Sequence, residues 1–168
     1  MCGDAGYEVM TSRRSCRRYT TQSVAKSDLE RIVNAGRLAA TARNVQPWHF
    51  VVVTDAAKRK ELAGITEHGK FIADCPACIV VFCEDTKYYL EDGCAATQNL
   101  LNAAAALGLG SCWVAGDKKP YAGRIVDVVG APQTTKLIAL VAVGYPAEPL
   151  NPRAAKKELA QVIHWEKF

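Results

Sequence analysis

The residues best suited to chemistry lie near the start of the chain, in Arg13-Arg14-Ser15-Cys16-Arg17-Arg18-Tyr19. Four guanidinium groups fall within six residues there, a crowding that is costly unless an anion sits between them. Each is a planar fork whose donors match phosphate oxygens two at a time, and Ser15 adds a short hydroxyl. Taken alone, the same stretch also reads as a solvated basic turn or a patch for nucleic acid. A second polar constellation, Thr41-Ala42-Arg43-Asn44-Val45-Gln46-Pro47-Trp48, precedes an apolar run. Pro47 fixes its own φ and steers Gln46 away from helix, so a rigid turn should present the Asn44 and Gln46 amides beside Trp48. Side-chain amides both donate and accept, which suits the edge of a heterocycle. By itself such a segment is more often simply a loop.

The cysteines are Cys2, Cys16, Cys75, Cys78, Cys83, Cys94 and Cys112, an odd count that argues against a disulfide framework. Cys75-Pro76-Ala77-Cys78 has the spacing of a redox dithiol, but it precedes a strand, whereas a thioredoxin-type pair follows one and starts a helix. No second such pair or nearby histidine pair completes a zinc site. The thiols therefore read as small buried apolar groups in a reducing compartment. His49 and His164 read as structural, and Trp113 as a core residue.

A chain of 168 residues, 49% hydrophobic and 23% charged, is expected to form one globular domain spanning 1–168. Its net charge of +4 suits an anionic small ligand as well as nucleic acid. No apolar run approaches the roughly 18 residues of a membrane span. Met1-Cys2-Gly3-Asp4-Ala5 lacks the features of a secretion signal, so the cytoplasm is the expected location and no membrane partner is expected.

These residues must be positioned by the surrounding elements. A short helix is expected over about 4–12. A second should open at a capping box, Ser27-Asp28-Leu29-Glu30, and run to about Ala40 with Leu29, Ile32, Val33, Gly36 and Leu38-Ala39 on one face. The runs 50–54, 77–83 and 137–143 read as strands, the latter two covered on both faces. A surface helix should occupy about 55–66. Another, apolar nearly all round, should run from about Leu90 to Leu107 and stop at Gly108-Leu109-Gly110. Ser111–Gly116 should be extended, and Gly116 would allow close backbone approach to something flat. A helix opened by Pro120 should end before Gly130. About 145–168, punctuated by Pro146, Pro149 and Pro152, should be an extended arm whose apolar end needs a surface, with a neighbouring subunit as a natural one.

Five short motifs in this order, Arg13-Arg14-Ser15-Cys16-Arg17, Asn44-Val45-Gln46-Pro47-Trp48, Gln98-Asn99-Leu100-Leu101 with Gly108-Leu109-Gly110, Gly144-Tyr145-Pro146, and His164-Trp165, make the chain resemble the FMN-dependent nitroreductase family along nearly its whole length. The resemblance implies an α+β, three-layer fold: a central mixed β-sheet flanked by helices, in an intertwined homodimer with each C-terminal arm on the partner subunit. It implies FMN at the interface, with Arg13 and Ser15 at the phosphate, Arg17 at the pyrimidine edge, and Arg14 also among the cofactor-binding residues. Thr41, Ala42, Arg43, Asn44 and Gln46 would come from the other subunit. Ala115 and Gly116 would lie beside the reactive face, with a backbone N–H near N5, and Lys156 and Lys157 would complete the phosphate site. His68 or Lys70 falls where the family often has a polar contact to the flavin.

The chain departs from the family's pattern in three places. Ala40-Thr41-Ala42 replaces the usual Pro-Ser-Ser, so one hydroxyl contact is expected to be lost. The stretch between the Val80 strand and the Asp92 helix is short and omits the lid helices of longer members. Lys156-Lys157 replaces the commoner Arg-Lys. The implied activity is electron transfer from NAD(P)H through FMN to a nitroaromatic, quinone or related small acceptor by a ping-pong cycle. The alternatives are other FMN chemistry, such as reductive dehalogenation or ene reduction, or a flavin-binding module without substantial turnover. Few aromatics interleave with the basic residues, so nucleic acid is not the expected partner. The chemistry belongs to the flavin, which explains why no catalytic triad or carboxylate pair is evident.

Overall fold

A computed structural model describes residues 3–150, 152 and 154–168, so Cys2 lies outside the described residues. The helices are α1 (Gly3–Ser12), α2 (Lys26–Arg37), α3 (Ala56–Ile65), α4 (Tyr89–Ala106) and α5 (Ala122–Val129). The strands are β1 (Trp48–Val53), β2 (Ala77–Glu84), β3 (Gly110–Ala115) and β4 (Thr135–Gly144), in the spatial order β1-β2-β4-β3. All three strand pairings are antiparallel. The sheet is therefore antiparallel throughout its four strands, which corrects the expected mixed sheet, and among the described residues the parallel contact is an isolated bridge from Ser15 to Ser111.

Alternation along β2 divides the core into two layers. Cys78, Val80 and Phe82 face Leu62 of α3 and Ile125 of α5, while Ile79, Val81 and Cys83 face Ile32 of α2 and Leu100 of α4. Seven of the eight β2 residues are buried, which explains its uninterrupted apolar run: a strand covered by helices on both faces has no polar side. Each fully buried Ile, Leu or Phe contributes about 1.5–3 kcal/mol relative to exposure. The three-layer α+β architecture thus follows from apolar strands that need covering twice.

Two local expectations are corrected. Helix α2 starts one residue before Ser27, with Ala25 as its N-cap and no side-chain cap. Val24 and Leu29, at the positions of a hydrophobic staple, are buried in the same cluster, and their burial sets the helix start in place of the Ser27 hydroxyl. The same helix ends at Arg37, short of Ala40. The bulge between Val81 and Phe82 of β2, where Phe82 pairs with Leu137, leaves Ile138 without a partner on that strand. Nothing in the residue types announces that bulge.

Candidate functional site: a cationic cleft between the arginine segment and the arm

The arginine segment is held on both sides by backbone. Cys16 N–H donates to Ser111 O at 2.9 Å, beside the Ser15–Ser111 bridge. Gly110 makes this approach possible, because a Cβ there would lie 2.6 Å from Cys16 Cβ and 2.7 Å from its sulfur. On the other side the start of the arm zips onto Arg18–Thr20. Tyr19 bridges Pro146, Thr20 N–H donates to Tyr145 O at 2.9 Å, and Ala147 N–H donates to Arg18 O at 3.1 Å. Arg18 then pairs with Glu148 at 3.0 Å, which engages it away from the other arginines. Tyr19 anchors the turn from beneath: its buried hydroxyl donates to Cys16 O at 2.6 Å. Burial pushes the Tyr19 pKa well up, as do the four surrounding thiols of Cys16, Cys75, Cys112 and Cys78, so the hydroxyl stays a donor.

Residues of the arm and of the arginine segment border an open cleft of about 440 Å³ lined by Arg13, Arg14, Ser15, Arg17, Pro152, Ala154 and Lys156. Cationic groups distant in sequence, Arg13 and Lys156, thereby meet in one cleft, and its volume lies within the roughly 300–1,000 Å³ range of small-molecule sites. Arg13 Nε is buried with no hydrogen-bond partner among the described residues. A buried donor left unpaired costs about 1–3 kcal/mol, so a bound acceptor would relieve it. The donor set fits a phosphate: guanidinium, hydroxyl and ammonium groups converge with no carboxylate in the lining.

Other predicted residues are placed differently. Arg14 Nη1 turns back to the carbonyls closing α1, donating to Thr11 O at 3.2 Å and Arg13 O at 2.9 Å, so much of its donor capacity is spent on that helix end. Arg17 stands 5.9 Å over the Phe71 ring and remains otherwise exposed at the cleft. Lys157 is exposed and does not line the cavity. Lys70 caps α3, its Nζ donating to Ala63 O and Gly64 O at 3.2 and 3.0 Å, while His68 is exposed.

Ala115 ends β3, and the bulged Ile138 explains how the chain leaves it. Both Gly116 N–H and Asp117 N–H donate to Ile138 O, at 3.0 and 3.3 Å. The Gly116 N–H is therefore engaged within the chain, and its missing Cβ makes room for Leu137 Cγ, which would lie 2.5 Å from a Cβ placed there. The packing against Leu137 gives this position a requirement for glycine that is independent of any ligand.

The loop at 41–46 does not line the cationic cleft of its own chain. It is strained: Arg43, Asn44 and Gln46 have φ of 53°, 57° and 54°. Each left-handed L-residue costs on the order of 1–2 kcal/mol, less for Asn. Thr41 Oγ1 donates to Asp92 Oδ2 at 2.8 Å, so this hydroxyl points inward, away from its expected cofactor contact. Arg43, Asn44 and Gln46 are exposed.

The burial expected of most of the cysteines is seen among the described residues. Cys16, Cys75, Cys78, Cys83 and Cys112 are buried and unpaired, and Cys94 is half-buried and unpaired. Burial pushes Cys75 up to about 11 and Cys83 up to about 12, and it raises Cys78 as well. A thiol kept protonated is a poor nucleophile, so burial works against thiolate chemistry at Cys75 and Cys78. No group of three or more His, Cys, Asp or Glu side chains among the described residues could hold a metal ion. No described helix is long and apolar enough to cross a membrane. Asp92 and the Ile138 bulge were not foreseen from the sequence. Asp92 carried one available signal, an acidic residue in the first turn of an otherwise apolar helix.

Comparison with known proteins places the fold. The Nitroreductase family profile matches residues 10–73 and 66–145. A protein of Archaeoglobus fulgidus, provisionally named NADH dehydrogenase/NAD(P)H nitroreductase, is 33% identical over 149 residues, covering 84% of this chain and 85% of its own. The FMN-dependent nitroreductase of Clostridium difficile superposes with a TM-score of 0.90 at 26% identity, covering 96% of this chain and 99% of that one. A Desulfovibrio desulfuricans protein solved in complex with FMN gives a TM-score of 0.85 at 29% identity, covering 97% of each chain. The profile match and the Archaeoglobus relative show that this chain belongs to the Nitroreductase family.

Proposed function

We propose that this protein is an FMN-dependent oxidoreductase that takes electrons from NAD(P)H and passes them to a nitroaromatic, quinone or related small acceptor by a ping-pong cycle. The observation that carries the reading is the cleft in which Arg13, Ser15 and Lys156 converge, with the Arg13 Nε donor buried and unspent. These groups hold the FMN phosphate by charge-assisted hydrogen bonds, and Arg14 and Lys157 add positive charge at its edges. Bound FMN supplies the hydride-transfer chemistry. Arg17, exposed at the cleft mouth, places positive charge where the reduced flavin is electron-rich and so favours the reduced state. Ala115 and Gly116 shape the edge of the site at the end of β3.

The working unit in this reading is a homodimer in the cytoplasm, each site completed by Thr41, Ala42, Arg43, Asn44 and Gln46 of the other subunit. Support comes from the arm, where Leu159, Val162, Trp165 and Phe168 are exposed in the single chain. A surface of matching chemistry lies along the outer edge of β1: a groove of about 880 Å³ containing Val24, Leu29, Val33 and Val52. The buried free thiols suit a reducing compartment.

Anaerobic titration of FMN-loaded protein with NADH and NADPH tests the reading. Stoichiometric bleaching of the flavin, followed by reoxidation with a quinone or nitroaromatic and parallel-line steady-state kinetics, is expected. Flavin that binds but is not bleached by either nucleotide would leave a binding module and remove the enzyme.

A further inference from the structure

The loop at 41–46 raises a question that its own residues do not answer: what keeps three left-handed L-residues in place on an exposed turn. Its internal backbone bonds are long, with Asn44 N–H to Thr41 O at 3.4 Å and Val45 N–H to Ala42 O at 3.2 Å. Only five non-glycine residues have positive φ among the described residues, and three of them are here. Such strain persists only where the surroundings impose it.

The imposing group is Asp92, about fifty positions away in sequence and only 5% exposed. It projects from the first turn of α4 and uses both carboxylate oxygens on the root of the loop. Oδ1 accepts from Ala42 N–H at 3.0 Å, and Oδ2 accepts from the Thr41 hydroxyl at 2.8 Å. The Thr41 oxygen in turn accepts from Gln46 N–H at 3.0 Å. A relay therefore runs from Gln46 N–H through the Thr41 hydroxyl to the Asp92 carboxylate, and it closes the loop from the inside. Successive hydrogen bonds ending on a carboxylate polarise one another and stiffen the chain of groups. On the outside, Asn44 and Gln46 face solvent, and Gln46 Nε2 donates to Asn44 Oδ1 at 3.2 Å, which fixes the two amides relative to each other.

From this geometry we infer that Asp92 is a positioning residue for flavin recognition. It touches no ligand, and it holds Asn44 and Gln46 in the orientation that meets the polar edge of the isoalloxazine ring. The inference rests on the proposed reading that this loop meets the cofactor. It adds that the affinity delivered by the loop is set by α4, through one buried carboxylate and one hydroxyl. Thr41 takes part in the proposed site from inside the relay, its hydroxyl being spent on Asp92. Its hydroxyl is committed to Asp92 and to Gln46 N–H, so the position contributes through geometry.

The isoalloxazine end and the phosphate end of the cofactor can be read separately by comparing FMN with riboflavin, which lacks the phosphate. Dissociation constants of the full-length dimer for both flavins are measured by fluorescence quenching in the wild type, Asp92→Asn, Thr41→Val and the double variant. Asp92→Asn keeps an oxygen for Ala42 N–H but loses an acceptor for the hydroxyl, and Thr41→Val removes the relay while keeping the side chain's shape. Each single change is expected to weaken FMN and riboflavin by the same factor, about tenfold, the worth of one hydrogen bond to a charged group. The double variant should be no weaker than the worse single one, because both substitutions break one relay. A merely structural role would lower the melting temperature and leave both dissociation constants of the folded protein unchanged, and that result overturns the inference. Loss of FMN affinity with riboflavin unaffected also overturns it, since the effect would then lie at the phosphate. Should Asp92→Asn fail to fold, Thr41→Val alone decides between these outcomes. Wild-type protein that binds neither flavin refutes the underlying functional reading, which is a distinguishable result.

Discussion

Arg13 gives the sharpest opposition between stability and binding. Its Nε is buried without a partner among the described residues, and its guanidinium lines the cationic cleft. In the absence of ligand the orphaned donor is a liability of about 1–3 kcal/mol. Arg13→Met retains most of the apolar stem and removes the donors, so the flavin-free protein should gain about 1 kcal/mol, a rise of roughly 2–4 °C in Tm for a chain of this size. The same substitution removes a charge-assisted hydrogen bond worth about 1.5–3 kcal/mol from the phosphate, so the FMN dissociation constant should rise about 10- to 100-fold. Riboflavin has no phosphate and should lose little. Differential scanning fluorimetry of the flavin-free protein and fluorescence titration with both flavins supply the numbers. A variant that melts lower than wild type and binds FMN unchanged would refute the reasoning, because Arg13 would then serve the fold.

Three further outcomes follow from the same geometry. Gly110→Ala sets a Cβ 2.6 Å from Cys16 Cβ and pries the arginine segment off β3; it should cost about 1–3 kcal/mol in urea unfolding and weaken FMN binding in parallel. Removing residues 159–168 deletes Leu159, Val162, Trp165 and Phe168 while retaining Lys156, so sedimentation should show monomers in place of dimers, and an unchanged dimer would exclude the arm from the interface. The buried thiols make stability fall in alkali. Folded-state values raised to about 11 for Cys75 and about 12 for Cys83 mean that the unfolded chain, with thiols near 8.5, ionises first. The stabilisation is intact below about pH 8.5 and is lost as the pH rises toward the folded values, at about 1.4 kcal/mol per pH unit for each thiol. Denaturation midpoints at pH 7, 9 and 10 check the sign, and a midpoint that rises with pH would contradict it.

What could be read from the sequence was whatever local pattern encodes. The uninterrupted apolar run of β2 announced a strand covered twice, and the all-round apolar α4 announced a buried helix, because burial itself selects those residues. Gly130, at φ 67°, ends α5 where a left-handed position was needed. The start of α2 was misread because a serine that could cap competes with a Val24–Leu29 staple, and apolar burial wins over one surface hydrogen bond. At the site, the arginine motif and Lys156 were visible as charges, yet their meeting depends on the zipper of Arg18–Thr20 with Tyr145–Ala147, which links backbone groups and leaves no mark on residue type. The same holds for Gly116, whose N–H is taken by the bulged Ile138, and for Asp92, whose partners lie about fifty positions away.

The central claim, that the arginine segment and the arm together grip a flavin phosphate, is tested most directly by the ratio of riboflavin to FMN dissociation constants for the wild-type protein at moderate salt. Two or more charge-assisted hydrogen bonds, each worth about 1.5–3 kcal/mol, predict FMN tighter by at least 100-fold. Equal affinity for the two flavins would contradict the account.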